Sequence, residues 1–229
     1  MKTNKIKKFL LATFILLTAN NSHAYMFWNH ACEFNGSPSP SWIAVPNSSS
    51  INLTGSFTLE AWVCPVNSAN GTDQVIIEKR RLTGMQAGYS MFLNSDGKAA
   101  IRTNGTVKLI GSSVIPSNQW THIAVAFNSV SDRFSIYVNS VLDTTVIYTV
   151  TSPDPLANVD SLFVGKGAAS PFKGYLDEVR VWSGLKSGAE IQRYWRTTLG
   201  ISTGIYDDLV LSFTFQDRNS FSPAFSLTD

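Results

Sequence analysis

The stretch Phe172-Lys-Gly-Tyr-Leu-Asp-Glu-Val-Arg-Val-Trp182 decides the fold class of this chain. Because successive side chains of a strand point to opposite faces, alternate residues here predict the two faces of one strand. The first predicted face carries Leu176, Glu178, Arg180 and Trp182, and the second carries Asp177, Val179 and Val181. A short amphipathic segment ending at Ile191-Gln192 follows this strand.

The same period of two recurs along the chain and predicts an all-β protein. Two further stretches show it clearly: Phe57-Thr-Leu-Glu-Ala-Trp-Val63 and Trp120-Thr-His-Ile-Ala-Val-Ala-Phe127. Turn signals predict hairpins around Asp96-Gly97 and Asn104-Gly105. Residues 133–139 and 141–148 predict another hairpin, with Asn139-Ser140 at its turn. Serine is less favourable than glycine at positive φ, so we expect a longer turn or another turn type there.

One short helix is predicted near the C-terminal end. Ser187 is followed three residues later by Glu190, which is a capping box. The apolar residues that follow recur at helical spacing: Ile191, Tyr194 and Trp195. We expect this helix to pack its apolar stripe on the strands. Residues 209–215 predict a final strand that completes the same domain.

The first 24 residues have the order of a secretory signal peptide. Four lysines lie within the first eight residues, an apolar run covers residues 9–19, and Ser22-His23-Ala24 follows. The apolar run is too short to span a bilayer, and we expect cleavage near Ala24. The mature chain is therefore predicted to be one domain, residues 25–229, that is secreted or periplasmic and has no membrane span.

Removing the leader also removes the basic excess of the chain. Without its four lysines, 14 of the 18 Lys and Arg residues remain against 16 Asp and Glu, so residues 25–229 have a formal charge of −2. A nucleic-acid binder normally keeps a basic face. The remaining basic cluster, Lys79-Arg80-Arg81, is interpreted as a solvated loop or edge. Nucleic acid is therefore not an expected partner.

Together, the stretches around Trp62, Trp120 and Trp182 resemble the laminin G-like jelly roll of the concanavalin A-like lectin and glucanase superfamily. The resemblance runs from about residue 31 to residue 192. It implies an antiparallel β-sandwich, the concanavalin A-like jelly roll, with one short C-terminal helix. The superfamily includes lectins, adhesion modules, enzyme appendages and hydrolases, so the fold leaves the function open.

The leading functional hypothesis comes from the resemblance alone: a secreted, non-catalytic recognition module that binds glycans. The alternative is a protein–protein or adhesion module of the laminin G type, and a glycoside hydrolase is the third hypothesis. Hydrolases of this superfamily use two carboxylates on one face, which a strand supplies at i and i+2 or i+4. No predicted strand carries such a pair, because the acids are adjacent or alone: Asp177-Glu178, Asp207-Asp208, Glu33, Glu60 and Glu78.

Aromatic side chains are the candidates for stacking on a sugar ring. Trp62, Trp120 and Trp182 lie inside strand motifs, which favours core packing, and His122 is interpreted as a core histidine. The predicted ligand-binding residues are the aromatic residues nearer to loops or strand ends: Trp42, Tyr89 and Tyr206.

The resemblance also implies a disulfide between Cys32 and Cys64. It places Cys32 in the first sandwich strand and Cys64 at the end of the strand over residues 57–63. Two nearby thiols in an oxidising compartment rarely stay free. The alternative is two buried, unpaired cysteines.

A structural calcium ion is the cofactor that the resemblance implies. The first and last sandwich strands are neighbours in the superfamily, so Asp177 would supply a carboxylate and the turn at Asn35 and Gly36 would supply carbonyl oxygens. Asn35 stands where many relatives carry Asp, which lowers the expected affinity. The alternative is that Asp177 accepts backbone N–H bonds.

Overall fold

The computed structural model describes residues 31–81, 86–148, 156–199 and 207–215. Within these ranges the chain forms two seven-stranded sheets that pack face to face as a β-sandwich, with one short α-helix. The strands pair antiparallel except at one two-residue strand, so the predicted all-β sandwich is confirmed. The predicted leader peptide and Tyr206 lie outside the described residues.

Sheet A contains β1 (Cys32–Asn35), β3 (Phe57–Pro65), β8 (Thr121–Asn128), β9 (Arg133–Val138), β10 (Val141–Ile147), β13 (Lys173–Trp182) and β14 (Leu209–Phe213). Its strand order is β1-β13-β3-β8-β9-β10, and β14 pairs with the second half of β13. The three stretches that carried the resemblance therefore become the neighbouring strands β13, β3 and β8. The final strand predicted over residues 209–215 is confirmed as β14.

Sheet B contains β2 (Ile43–Val45), β4 (Gln74–Arg80), β5 (Gly88–Leu93), β6 (Lys98–Thr103), β7 (Thr106–Val114), β11 (Leu162–Val164) and β12 (Ser170–Pro171). Its strand order is β2-β11-β4-β5-β6-β7, and β12 pairs with β4. The turns at residues 94–97 and at Asn104-Gly105 join β5 to β6 and β6 to β7. Both hairpins predicted from these turn signals are confirmed.

The hydrophobic core lies between the sheets and follows the alternation of the strands. In β3, Leu59, Ala61 and Val63 enter the core, whereas Glu60 and Trp62 point away from sheet B. Burying one large apolar side chain stabilises a fold by about 1.5–3 kcal/mol, so this inner face fixes the register of the strand. We call the face of each sheet that points away from the core its outer face.

The alternation of β13 is interrupted by a bulge. The pairing with β3 shifts between Asp177 and Arg180, and Glu178 has a φ of 48°. One extra residue in the bulged strand brings Val179 into the core together with Leu176. The prediction that Leu176 shares a face with Glu178, Arg180 and Trp182 is therefore wrong, because the bulge changes the phase of the strand between them.

The turn between β9 and β10 differs from the expectation. It contains only Asn139 and Ser140, whose φ values of 48° and 66° are those of a two-residue type I′ turn. Asn139 has tertiary support, because its backbone N–H donates to the carbonyl of His122 at 2.8 Å and its Oδ1 accepts from the backbone N–H of His122 at 3.0 Å. These bonds hold the turn although serine replaces the favoured glycine.

The predicted helix is α1 (Gly188–Tyr194), and its capping box is confirmed. Ser187 Oγ accepts from the backbone N–H of Glu190 at 3.3 Å, and Glu190 Oε2 accepts from the backbone N–H of Ser187 at 2.8 Å. Ile191 is the buried residue of the helix. No helix in the described part of the chain combines the length and the apolar character needed to cross a bilayer.

Candidate functional site

The outer face of sheet A carries a buried charge network under the C-terminal segment. Arg180 is fully buried on β13, and its Nη1 donates to Glu60 Oε1 at 3.2 Å while its Nη2 donates to Glu178 Oε2 at 2.6 Å. The same guanidinium also donates to the carbonyl oxygens of Tyr194, at 3.2 Å, and Thr197. Arg180 thus connects sheet A to the end of α1 and the residues after it.

Glu60 is the centre of this network. Trp182 Nε1 donates to Glu60 Oε1 at 2.9 Å, and His122 Nε2 lies 3.3 Å from Glu60 Oε2. Burial alone would raise the pKa of Glu60, but the hydrogen bond with His122 and the charge of Arg180 outweigh it and lower the pKa to about 2. His122 is only 1% exposed, so its predicted burial is confirmed, but it lies on the outer face of sheet A and not in the core between the sheets.

The tryptophans of sheet A pack under the same segment. Trp62 stacks on Trp195 with ring centroids 5.4 Å apart, and its Nε1 donates to the Trp195 carbonyl oxygen at 2.7 Å. Trp62 and Trp182 are buried, as predicted, but on the outer face of the sheet and not between the sheets. Trp120 lies just before β8 and is half-buried, so it does not belong to the core. This face of the molecule is filled by the protein itself.

The predicted disulfide is wrong. Cys32 on β1 and Cys64 on β3 are free, and β13 lies between these two strands. Two strand spacings amount to about 10 Å, whereas a disulfide requires Cα atoms within about 7 Å. The two thiols also face opposite ways, because Cys32 pairs with the core residue Leu176 and Cys64 pairs with its neighbour Tyr175.

The residues predicted to hold calcium do not come together. Strands β1 and β13 are neighbours, as expected, but Asn35 pairs with Lys173, four residues before Asp177. That separation is about 13 Å along the strand, whereas two ligands of one calcium ion lie within about 5 Å of each other. Asp177 Oδ1 accepts from the backbone N–H of Glu178 at 2.8 Å, as in the alternative interpretation. A structural calcium ion itself stays a prediction, and thermal melts with calcium and with EDTA test it.

The predicted aromatic ligand residues have different positions. Trp42 is 45% exposed at the start of β2. Tyr89 is fully buried in the core and donates its hydroxyl to the carbonyl oxygen of Ile51 at 3.0 Å, so its prediction as a surface residue is wrong. Residue 89 pairs with Lys79, which points to the same inner face.

The interpretation of Lys79-Arg80-Arg81 as a solvated loop or edge is wrong for Lys79 and Arg80, which lie in β4, and holds for Arg81, which follows the strand and is exposed. Lys79 is fully buried in β4, and its Nζ donates to four oxygen atoms: Asn47 Oδ1 at 2.9 Å, Asn158 O at 2.8 Å, Asn158 Oδ1 at 3.1 Å and Asp160 O at 2.8 Å. Arg80 is the next residue of the strand and points to the outer face.

A continuous polar row crosses the outer face of sheet B. Register pairs Phe163 of β11 with Glu78 of β4, Glu78 with Ser90 of β5, and Ser90 with Arg102 of β6. Each of these residues lies one step from a core residue on its own strand, so their side chains share the outer face. We call these four residues, together with Arg80, the sheet B row.

Three polar atoms of the sheet B row are buried without a hydrogen bond among the described residues: Glu78 Oε2, Arg80 Nε and Ser90 Oγ. Arg80 Nε lies 3.5 Å from Glu78 Oε2, which is an ion pair but too long for a hydrogen bond. Buried polar groups in native proteins normally have partners, and an unpartnered group costs about 1–3 kcal/mol. These atoms are closed off from solvent in the unbound chain, so a bound molecule would complete their bonding only after side chains of the row change rotamer.

A loop after β11 forms one wall above the row. The backbone N–H of Ala168 donates to Glu78 Oε1 at 2.6 Å. Gly167 lies so close that a Cβ there would overlap Glu78 Oε1, so only glycine permits this approach. The opposite end of the row is held by Arg102, whose Nη2 lies 2.9 Å from Asp73 Oδ2 and whose guanidinium lies 4.3 Å from the ring centroid of Phe92.

An aromatic pair lies at the β11 end of the row. Lys166 Nζ is 3.8 Å from the ring centroid of Trp42 and 5.8 Å from that of Phe163. Hydroxyl-bearing ligands need acceptors, donors and a flat apolar surface, and carboxylate, guanidinium and indole groups supply these. The one signal in the sequence was the i, i+2 spacing of Glu78 and Arg80, which places both on one side of a strand.

Comparison with known proteins settles the family. The family model described as concanavalin A-like lectin/glucanases superfamily, of the laminin G type, matches residues 37–192. The chain belongs to this superfamily. No curated protein sequence matches it. A superfamily member with this jelly roll has two outer faces, and in this one the end of α1 and the residues after it cover the sheet A face around Arg180 and Trp62.

Solved structures similar to this laminin G-type chain share its fold at low identity. A candidate carbohydrate binding protein from Bacteroides ovatus has a TM-score of 0.61 and 18% identity over 81% of this chain and 51% of that one. The Ruminococcus gnavus IT-sialidase CBM40 bound to α2,3-sialyllactose has a TM-score of 0.57 and 13% identity over 72% of this chain and 96% of that one. The SAP-like pentraxin of Limulus polyphemus has a TM-score of 0.54 and 16% identity over 70% of this chain and 78% of that one. The chain spans about half the length of the Bacteroides ovatus protein.

Proposed function

We propose that this chain is a non-catalytic glycan-binding module whose site is the outer face of sheet B. The observation that carries the proposal is the set of buried polar atoms without partners, Glu78 Oε2, Arg80 Nε and Ser90 Oγ, on the face whose β2 end carries an exposed indole. A pyranose offers hydroxyls that both donate and accept, together with an apolar ring face. Its hydroxyls would complete the bonding of the row, once the side chains of the row change rotamer to admit them, while Trp42 packs on the ring.

The likenesses support this class of ligand without identifying it. The Bacteroides ovatus protein is described as a candidate for carbohydrate binding, and the Ruminococcus gnavus module is described with a bound sialyllactose. Other neighbours are parts of a sialidase and of an arabinanase, so the same sandwich also occurs as an appendage of enzymes. Fold similarity does not transfer a ligand, so the class of ligand rests on the residues of the sheet B face.

Binding without catalysis is the function that the carboxylates of this face favour. Glycoside hydrolysis uses two carboxyl groups on either side of the scissile bond, one of them free to protonate the leaving oxygen. Glu78 is held by Arg80 and the backbone N–H of Ala168, and Asp73 is held by Arg102. Glu60 and Glu178 do converge, but both contact Arg180 and are buried beneath the C-terminal segment.

A glycan array followed by calorimetry with purified mature protein tests the proposal. We expect Glu78→Gln to weaken binding of the best glycan about tenfold, because a hydrogen bond to a charged group contributes about 1.5–3 kcal/mol. Glu33→Gln, which changes an exposed glutamate on sheet A, is the matched control and should bind as the unchanged protein does. An array with no bound glycan, or equal loss in both variants, would contradict the proposal.

Export belongs to the same proposal. The leader predicted over residues 1–24 supports it, because a glycan-binding module meets its ligand outside the cell. N-terminal sequencing of the protein recovered from the periplasm or medium should begin at Tyr25. Recovery of full-length protein from the cytoplasm alone would contradict export.

A protein-binding module is the second candidate, and one surface favours it. Strand β10 exposes Val141, Leu142 and Ile147, and the neighbouring strand β7 exposes Ile110 and Val114. Contiguous exposed apolar surface marks protein contacts. Binding to a surface protein that survives deglycosylation of that protein and is lost in Leu142→Asp would favour this function over glycan binding.

A further inference from the structure

We infer that the Trp42 end of the sheet B face selects acidic saccharides, with Lys166 binding a carboxylate or sulfate group of the sugar. The inference rests on the proposed glycan-binding function and names the class of glycan. The observations behind it are the positions of Trp42, Lys166 and Phe163 and the positive charge of Lys166. Binding of a neutral sugar would make no use of that charge.

The backbone fixes Lys166 and Trp42 side by side. Trp42 directly precedes β2 and Lys166 follows β11, and these strands pair with Ile43 opposite Val164. The ammonium lies 3.8 Å from the centroid of the indole ring, the distance of a cation–π contact. Trp42 is still 45% exposed, so a large part of the indole is left for a sugar ring. The charge and the stacking surface thus lie within one monosaccharide of each other.

Lys166 has no counter-ion within the described ranges, in contrast to the two arginines of the row. Arg80 is paired with Glu78 at 3.5 Å, and Arg102 is paired with Asp73 at 2.9 Å. No carboxylate of the described residues lies within ion-pair distance of Lys166, whose charged group contacts aromatic rings instead. Residues 25–229 carry more acidic than basic groups, so a positive site here is a local feature. An anionic group of a ligand would meet one uncompensated ammonium.

The Lys166 end is continuous with the sheet B row. Phe163, which lies beneath Lys166, pairs in register with Glu78, and Glu78 pairs with Ser90. A saccharide with its acidic group at Lys166 and its ring on Trp42 would extend over Phe163 toward Glu78, whose unpartnered oxygen becomes reachable when the side chains of the row change rotamer. The anionic group and the hydroxyls would then contact different residues.

Matched acidic and neutral probes test the inference. Trigalacturonic acid is compared with its methyl ester, and a 6-sulfated galactose oligosaccharide with its desulfated form, by calorimetry with the mature protein. We expect the unchanged protein to prefer one acidic probe over its neutral partner about fivefold, the effect of one partly exposed ion pair. The arm that shows the preference distinguishes a carboxylate from a sulfate ligand.

Three variants assign that preference to Lys166. Lys166→Gln should lose the preference and keep the affinity for the neutral probe, Lys166→Arg should keep the preference, and Lys173→Gln on sheet A should behave as the unchanged protein. Equal binding of both members in both pairs, or a preference that persists in Lys166→Gln, overturns the inference. If neutral glycans bind in a manner that depends on Glu78 but acid brings no gain, only this inference fails. If no glycan binds at all, the proposed function fails with it.

Discussion

The outer face of each sheet pairs a glutamate with an arginine, but the sheet A pair makes more hydrogen bonds with the rest of the chain. On sheet A, the two terminal nitrogens of Arg180 donate to two carboxylates and two carbonyl oxygens beneath the C-terminal segment. On sheet B, Arg80 and Glu78 lie 3.5 Å apart, and the neighbouring Ser90 hydroxyl makes no hydrogen bond with a described residue. The chain itself covers the sheet A network, whereas we propose that the sheet B row binds another molecule.

The comparison is one of degree. Arg180 Nε, Glu178 Oε1 and both ring nitrogens of His122 also lack hydrogen bonds among the described residues. Arg180 and Glu178 are held through their other atoms, His122 Nε2 lies 3.3 Å from Glu60 Oε2, and the end of α1 and the residues after it cover this network. What separates sheet B is the exposed indole of Trp42 at the β2 end of its outer face, whereas Trp62 and Trp182 on sheet A are buried.

The largest effect that sharpens this comparison is expected from Arg180→Met. The change leaves Glu178 buried without its cation, leaves Glu60 with only Trp182 and His122, and frees the end of α1, so we expect a loss of about 3–5 kcal/mol in the free energy of unfolding. Urea denaturation measures it. The matched change Arg80→Met on sheet B should cost about 1 kcal/mol. Equal costs would show that the two networks are not different in kind.

Asp177→Asn is expected to stabilise the protein at neutral pH. Burial, and then the charge of Glu178, raise the pKa of Asp177 to about 7. A carboxyl with a raised pKa in the folded chain contributes its stability at low pH and loses it as the pH rises from about 4 through 7. The amide can still accept from the backbone N–H of Glu178. Melting at pH 8 should therefore show a gain on the order of 2 kcal/mol, and melting near pH 4 little change.

One result would contradict this expectation. If Asp177→Asn destabilises the protein equally at both pH values, the Asp177 carboxylate is needed in its charged form and adds a negative charge to the network of sheet A. A parallel titration of Glu60→Gln would then identify which carboxylate carries the pH dependence.

Local patterns predicted the strands, the hairpins and the capping box, because each depends on a few consecutive residues. The period of two in β3, the turn at Asp96-Gly97 and the Ser187–Glu190 box needed no knowledge of distant segments. The turn type at Ser140 was not predicted by this local reasoning. Hydrogen bonds with His122, which is distant in the sequence, hold that turn.

The parts that failed depend on strand order and on one extra residue. The resemblance implied that Cys32 and Cys64 are close together, but β13 lies between their strands. No local sequence signal predicts that strand order. The bulge at Glu178 shifts the phase of β13, and no residue in the stretch marks it. The sheet B row was missed because its residues lie on four strands, so only the register brings them together.

A smaller effect on stability comes from paired serine changes. Ser212 on β14 donates its hydroxyl to the carbonyl oxygen of Leu199 at 3.0 Å, whereas buried Ser90 donates to nothing described. We expect Ser212→Ala to cost about 1 kcal/mol and Ser90→Ala to be neutral or stabilising in the absence of ligand. Chemical denaturation of both variants measures the difference. Equal losses would mean that Ser90 has a structural partner, and its place in the ligand site would be withdrawn.

The smallest effect on stability is expected from Trp42→Ala, and here the two tryptophan environments give the contrast. Trp62 stacks on Trp195 beneath the C-terminal segment, so Trp62→Ala should cost about 3–5 kcal/mol. Trp42 is exposed, so Trp42→Ala should change the free energy of unfolding by less than about 0.5 kcal/mol. Its effect should fall on binding instead, with a loss of roughly twofold to tenfold for any glycan that stacks on the indole. A Trp42→Ala protein with unchanged stability and unchanged glycan affinity would show that stacking on Trp42 plays no part in glycan binding. The sheet B site would then consist of the polar row alone.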